Sequence, residues 1–137
     1  MREILFRGKT YNDKWVQGLL VQMDDRLTQI RKLGSDGIGY YDYSIVPSTV
    51  GQFTGLTDKN GKKIFEGDII KIVPDYDYSD DYSISKVYSY NGILCVDYHG
   101  DDFDSTALGF LDDYLPDGDF EVIGNIHDNP ELLEVAE

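Results

Sequence analysis

Carboxylates dominate the side chains with chemical capacity in this sequence. Of its 26 Asp and Glu residues, 13 fall between positions 75 and 121, where Lys86 is the one basic residue. Three groups recur there: Asp75, Asp77 and Asp81; Asp101, Asp102 and Asp104; and Asp112, Asp113, Asp117 and Asp119. Oxygen-rich clusters suit hard cations, and the first has a spacing close to that of a calcium loop. Such a loop needs a glycine midway and a closing glutamate, and neither is present. Two carboxylates can also act as general acid and base. With 26 acidic residues, however, some pair always falls at a usable separation, so pairing alone selects no site.

The other reactive side chains are sparse. His99 and His127 are the only imidazoles, and Cys95 is the only thiol. Cys95 and His99 together are too few for a zinc set, and Cys95 lies between Leu94 and Val96, which reads as a buried structural thiol. Gly34, Gly37 and Gly39 lack the lysine and following helix of a phosphate loop, and no serine occupies a nucleophile elbow. No motif names a reaction, so no catalytic residue and no cofactor is assigned. A metal-dependent or acid/base hydrolase built on the clustered carboxylates stands as an alternative reading.

The charge itself is more informative. Positions 75–121 carry a net charge of −12 out of a total of −14. Such a segment repels nucleic acid and anionic membrane and attracts basic partners. Tyr76, Tyr78, Tyr82, Tyr88, Tyr90 and Tyr98 interleave with it and are suited to anchoring an interface. The expected interaction surface comprises Asp75, Tyr76, Asp77, Tyr78, Asp80, Asp81, Tyr82, Asp101, Asp102, Asp104, Asp112 and Asp113. Its expected partner is a host or phage protein with a basic surface, which the carboxylates would engage as a nucleic-acid mimic. Lys59, Lys62 and Lys63, with Arg2, Arg7 and Lys9, form two small basic groups; they read as ordinary surface charge, so direct nucleic-acid binding is not expected. Basic groups docking on acidic loops would also permit a structural homo-oligomer.

These residues must be positioned by short strands. The 137 residues are 41% hydrophobic, which excludes an acidic disordered tail, and one cysteine excludes a disulfide-stapled scaffold. The opening residues lack an apolar run of signal or membrane length, so a cytoplasmic protein is expected. Strands are expected over 3–7, 15–23, 27–33, 46–53, 62–65, 69–73, 83–90, 93–98 and 119–123. In the third of these, Thr28, Ile30 and Lys32 share one face. The stretches 34–43, 75–81 and 99–104 read as loops, 105–114 as a short helix, and 130–135 as a final helical turn capped by Asp128 or Asn129. Asn60-Gly61 and Asn91-Gly92 mark tight reversals. The pattern predicts a mainly β protein: a small antiparallel barrel or barrel-like sandwich of complex topology with one or two short helices. It forms one domain over 1–137, with two small β lobes dividing near 37–44 or near 74 as a variant.

Three blocks carry a family resemblance: REILFRGK at 2–9; TVGQFTGL at 49–56, running on as DKNGKKIFEGDI at 58–69; and FEVIGNIHDNPELL at 120–133. With them the chain resembles the YopX family of phage and prophage proteins from start to end. The resemblance implies a β-barrel-like fold and an origin in a mobile element of a bacterium. It implies no established activity, cofactor or catalytic residue. Within the blocks, Asp58 is expected to hydrogen-bond its turn. Glu66, Asp68, Asn125 and Asp128 are expected either to brace strand entries or to converge on a ligand cleft.

Overall fold

Apolar residues alternating with polar ones, punctuated by glycine turns, fold into antiparallel strands throughout. The structure is a computed structural model and describes residues 4–24, 27–73, 83–90, 93–96, 106–107 and 119–135. These residues give a mainly β protein of complex topology, with three antiparallel sheets, one 3-10 turn and one short helix. The chain divides into two compact units, Met1–Gly55 and Leu56–Glu137.

The first unit is a meander of β1 (Phe6–Lys9), β2 (Trp15–Met23), β3 (Thr28–Leu33) and β4 (Tyr40–Ser44). β5 (Gly51–Thr57) begins here beside β1, where Phe6 faces Gln52. The strand order is β4-β3-β2-β1-β5. Val16, Ile30 and Ile45 form the core, with Phe6, Leu20 and Val50 packed against them. Thr28 and Ile30 are buried while Gln29 and Arg31 are half-exposed, the alternation read from the sequence. The register of the nine-residue β2 against the shorter β3 shifts between Leu20 and Gln22, the mark of a bulge or irregularity in the ladder. Beyond β4 the chain returns to β1: Ile45 bridges Thr10, and Val46 N–H donates to Lys9 O (2.9 Å). A 3-10 turn at Pro47–Thr49 follows, fastened to β1 where Thr49 Oγ1 accepts Lys9 N–H (2.8 Å).

Three expectations need correction here. The expected loop over 34–43 is loop only to Gly39; Tyr40–Ser44 is a strand, because β3 offers it a continuous ladder from Gln29↔Ser44 to Leu33↔Tyr40. The expected strand over 46–53 starts late, since Pro47 lacks a donor and opens a 3-10 turn instead. The first strand runs Phe6–Lys9 rather than over 3–7, in register with Trp15–Gly18 of β2.

In the second unit β6 (Lys63–Phe65) and β7 (Asp68–Val73) follow the end of β5. β7 is the centre of a three-stranded sheet, flanked by β8 (Ser83–Lys86) and β12 (Asp119–Asn125). β10 (Ile93–Val96) is the centre of another, flanked by β9 (Tyr88–Tyr90) and β11 (Thr106–Ala107). Ile64, Ile70, Ile72, Val87, Val96 and Phe120 form the core, which draws on both sheets. Ser83 and Ser85 are buried opposite Ile72 and Ile70, where small side chains leave room for the isoleucines. The helix α1 (Glu131–Val135) closes the described chain beside β8.

The expected strand over 83–90 is interrupted at Val87. Its backbone is taken by the turn between β6 and β7, with Gly67 N–H donating to Val87 O and Val87 N–H to Asp68 O (both 2.8 Å). The residues before it pair with β7 and those after it with β10. The expected hairpin over Asn91-Gly92 has its strands in antiparallel register, Ile93 opposite Tyr90. The expected helix over 105–114 fails at its start, because Thr106 and Ala107 pair with Val96 and Cys95; 108–114 lie outside the described residues.

Candidate functional site

The polar residues that can be placed are those of the sequence blocks in the second unit. The Asp58–Gly61 turn reverses the chain between β5 and β6, and Gly61 adopts the positive φ of 80° that the reversal needs. Asp58 N–H donates to Lys62 O, and Asp58 Oδ1 accepts N–H groups from Asn60 (2.9 Å) and Lys62 (2.8 Å). Its other oxygen, Oδ2, accepts the N–H of Val122, 64 positions away (3.0 Å). Lys59 N–H in turn donates to Phe120 O (2.9 Å). Phe120 and Val122 are two apart on β12, so their backbone groups point to one edge of the strand, and the turn satisfies both. Lys59 Nζ adds a salt bridge to Glu121 Oε2 (3.7 Å). Burial of Asp58 acts to raise its pKa, but the N–H donors of Val122, Lys62 and Asn60 and the charge of Lys62 outweigh it, holding the carboxyl below its ordinary value.

Glu66, Asp68, Asn125 and Asp128 come from two adjoining segments. Asp68 and Asn125 face each other in the register of β7 and β12. Asp68 is 1% exposed, and its Oδ2 accepts Phe65 N–H (2.7 Å) across the Glu66-Gly67 turn. Gly67 O accepts Ile126 N–H (2.9 Å), which ties that turn to the end of β12. Asn125 Oδ1 accepts His127 N–H (3.0 Å) and Asp128 N–H (2.9 Å), and its Nδ2 donates to Asp128 Oδ2 (3.2 Å). Asn129 Oδ1 is turned back to Asn125 N–H (3.3 Å). In each case a side-chain oxygen satisfies backbone donors where a strand ends, the chemistry of a turn brace. Glu66 is half-buried in its turn. Among the described residues no group of three His, Cys, Asp or Glu side chains is placed to hold a metal ion.

Asp75, Tyr76, Asp77, Tyr78, Asp80, Asp81, Tyr82, Asp101, Asp102, Asp104, Asp112 and Asp113 lie outside the described residues. So do Asp117, Tyr98, His99 and Arg2. Arg7 is buried, its guanidinium 4.8 Å from the Trp15 ring centroid, with Lys9 Nζ at 5.8 Å from the same ring. Cys95 is buried and its thiol faces Ile93 O (3.4 Å).

One cluster in the first unit escaped the sequence reading. Arg31 on β3 binds Asp42 on β4 through two hydrogen bonds (2.9 and 3.1 Å) and stacks 3.9 Å over the Tyr40 ring. The hydrogen bond with Asp42 raises the guanidinium pKa and lowers that of the carboxyl. The signal lay in the symmetry of the stretch: Gly34 and Gly39 close the reversal (N–H to O, 2.8 Å), and counting outward from them sets Arg31 opposite Asp42.

The YopX protein family model matches residues 5–134. Two crystal structures are similar over 97% of this chain and 99% of their own. Protein EF1440 from Enterococcus faecalis has a TM-score of 0.56 at 25% identity, and protein yopX from Bacillus subtilis has 0.61 at 22%. No curated protein matches the chain. The chain belongs to the YopX protein family.

Proposed function

We propose that this YopX-family chain is a phage or prophage accessory protein that acts by binding, without catalysis, and that its partner is a basic host protein. The observation that carries the reading is the division of charge between the two units. Residues 1–55 hold six acidic and seven basic side chains, a net +1, whereas residues 56–137 hold twenty acidic and five basic, a net −15. A charge this one-sided raises encounter rates with cationic surfaces and disfavours polyanions. The tyrosines between the carboxylates supply contact area with polar tips, as interface anchors do. A protein that normally holds DNA or RNA offers the matching basic groove, so nucleic-acid mimicry is the specific form proposed.

The test is affinity capture from bacterial lysate at low and high salt, with the intact chain and with a variant carrying Asp75→Asn, Asp77→Asn, Asp80→Asn and Asp81→Asn. The expected result is a nucleic-acid-binding protein that elutes as salt rises, is displaced by DNA or RNA, and is held poorly by the variant. Empty capture at low salt overturns the reading.

A further inference from the structure

We propose that Asn60 is a site of deamidation, and that its conversion to isoaspartate breaks the hold of Asp58 on β12. The inference is independent of the proposed acidic contact, because it rests on the Asp58–Gly61 turn and the strand it braces.

An asparagine followed by glycine carries its own reactant, since the glycine nitrogen can reach the side-chain carbonyl carbon before it. Glycine leaves that approach open, having no Cβ to crowd it. At Gly61 an added Cβ would meet nothing within 4 Å, and Asn60 and Gly61 are both exposed, so water has access to the pair. Lys59 and Lys62 stand on either side, and positive charge favours a deprotonated nitrogen. Gly61 N–H donates to Asp58 O (3.0 Å), a bond at the tip of an exposed turn, where opening costs little.

The step balances with water as the only co-reactant. Gly61 N gives its proton to solvent and attacks Asn60 Cγ. The N–Cγ bond forms, the Cγ–Nδ2 bond breaks, and ammonia leaves with a proton taken back from solvent. Water then opens the cyclic imide. Breaking the new N–Cγ bond restores the ordinary backbone with a carboxylate side chain. Breaking the original peptide bond instead leaves the chain running through Cβ and Cγ as isoaspartate, longer by a single carbon. Nothing is oxidised or reduced.

Asp58 gives that extra carbon its consequence. Its Oδ1 accepts N–H groups from both sides of the Asn60–Gly61 peptide bond, Asn60 at 2.9 Å and Lys62 at 2.8 Å. A longer chain between the two donors moves them apart and off their shared oxygen. The other oxygen of this carboxylate holds Val122 N–H (3.0 Å), and Lys59 N–H holds Phe120 O (2.9 Å). A turn that loses its shape therefore also loses its tie to β12.

The experiment holds the intact chain and Asn60→Gln at physiological temperature in mildly alkaline buffer, both folded and in guanidinium chloride. Glutamine keeps the amide but closes a ring far more slowly. Mass-spectrometric peptide mapping reads the exchange of the side-chain NH2 for OH and separates Asn60 from Asn91, which also precedes a glycine. An isoaspartate-specific methyltransferase measures the product, and urea unfolding midpoints are taken before and after. The expected result is conversion of the folded chain at Asn60 over days, faster as pH rises, with isoaspartate as the larger product. The urea midpoint is expected to fall in step with the converted fraction, while Asn60→Gln keeps its own. A folded chain that stays unconverted at Asn60 while the denatured chain converts overturns the proposal. So does conversion confined to Asn91, conversion that leaves the midpoint unchanged, or an equal fall in Asn60→Gln.

Discussion

The Asp58 carboxylate bridges two segments 64 positions apart: Oδ1 holds its own turn through Asn60 and Lys62, while Oδ2 holds Val122 of β12 at 3.0 Å. The residue is 7% exposed, and its carboxylate is paired with backbone donors. Removing it leaves three N–H groups without their acceptor. Asp58→Ala is expected to destabilise the protein by about 2–4 kcal/mol, and Asp58→Asn, which keeps one acceptor oxygen, by about half as much. Urea unfolding midpoints measure both.

The same carboxylate sets a pH dependence. Its pKa in the folded chain lies below the ordinary 3.8, so folding favours the ionised form. The stabilisation it supplies is complete above that ordinary value and is lost as pH falls through the lowered one. Asp36, held by the N–H groups of Ile38 and Gly39, and Asp42, held by Arg31, shift in the same direction. Stability measured by urea is therefore expected to be level from neutral pH to about 5 and to fall below about 4. The gap between the native chain and Asp58→Asn is expected to narrow over that acid range.

Two glycines of the first unit should respond differently to substitution. A Cβ at Gly18 would collide with the backbone oxygen of Arg31, which cannot swing aside as a side chain can. Gly18→Ala is expected to cost about 2–3 kcal/mol. At Gly39 an added Cβ meets nothing within 4 Å, and Gly39→Ala is expected to stay within about 1 kcal/mol of the native chain. Thermal unfolding of the two variants side by side checks the contrast.

Cys95 is 5% exposed on the central strand β10, between β9 and β11. A thiol-specific chromogenic reagent is expected to label it slowly in buffer and at once in denaturant. Fast labelling of the folded protein would contradict its burial.

Features formed by neighbours in sequence were legible beforehand. The Asp58–Gly61 reversal needs only a side chain reaching two and four residues ahead and a glycine with positive φ. The β2 bounds, Trp15–Met23, followed from its strand formers Val16, Leu20 and Val21, and the buried face of β3 from its alternation. By contrast, Tyr40–Ser44 looked like loop because its glycine-rich approach hid the ladder partner across the turn. Thr106 and Ala107 fell within the stretch expected to be helical, and pairing with β10 overrode that preference. The run over 83–90 alternates without a break, yet Val87 divides it, since two backbone bonds from a distant turn end one ladder and start another.

The sequence by itself determined the family, the predominance of strands, the places where the chain turns and the concentration of negative charge, because composition and short-range backbone chemistry decide these. Only the tertiary structure decided that Asp58 reaches Val122, that Arg31 meets Asp42 over Tyr40, and that β4 stands at the end of its sheet. Each depends on which strands lie side by side. Strand pairing is a long-range choice, made by the burial of a whole face and the satisfaction of every backbone donor at once, and no local run of residues encodes it.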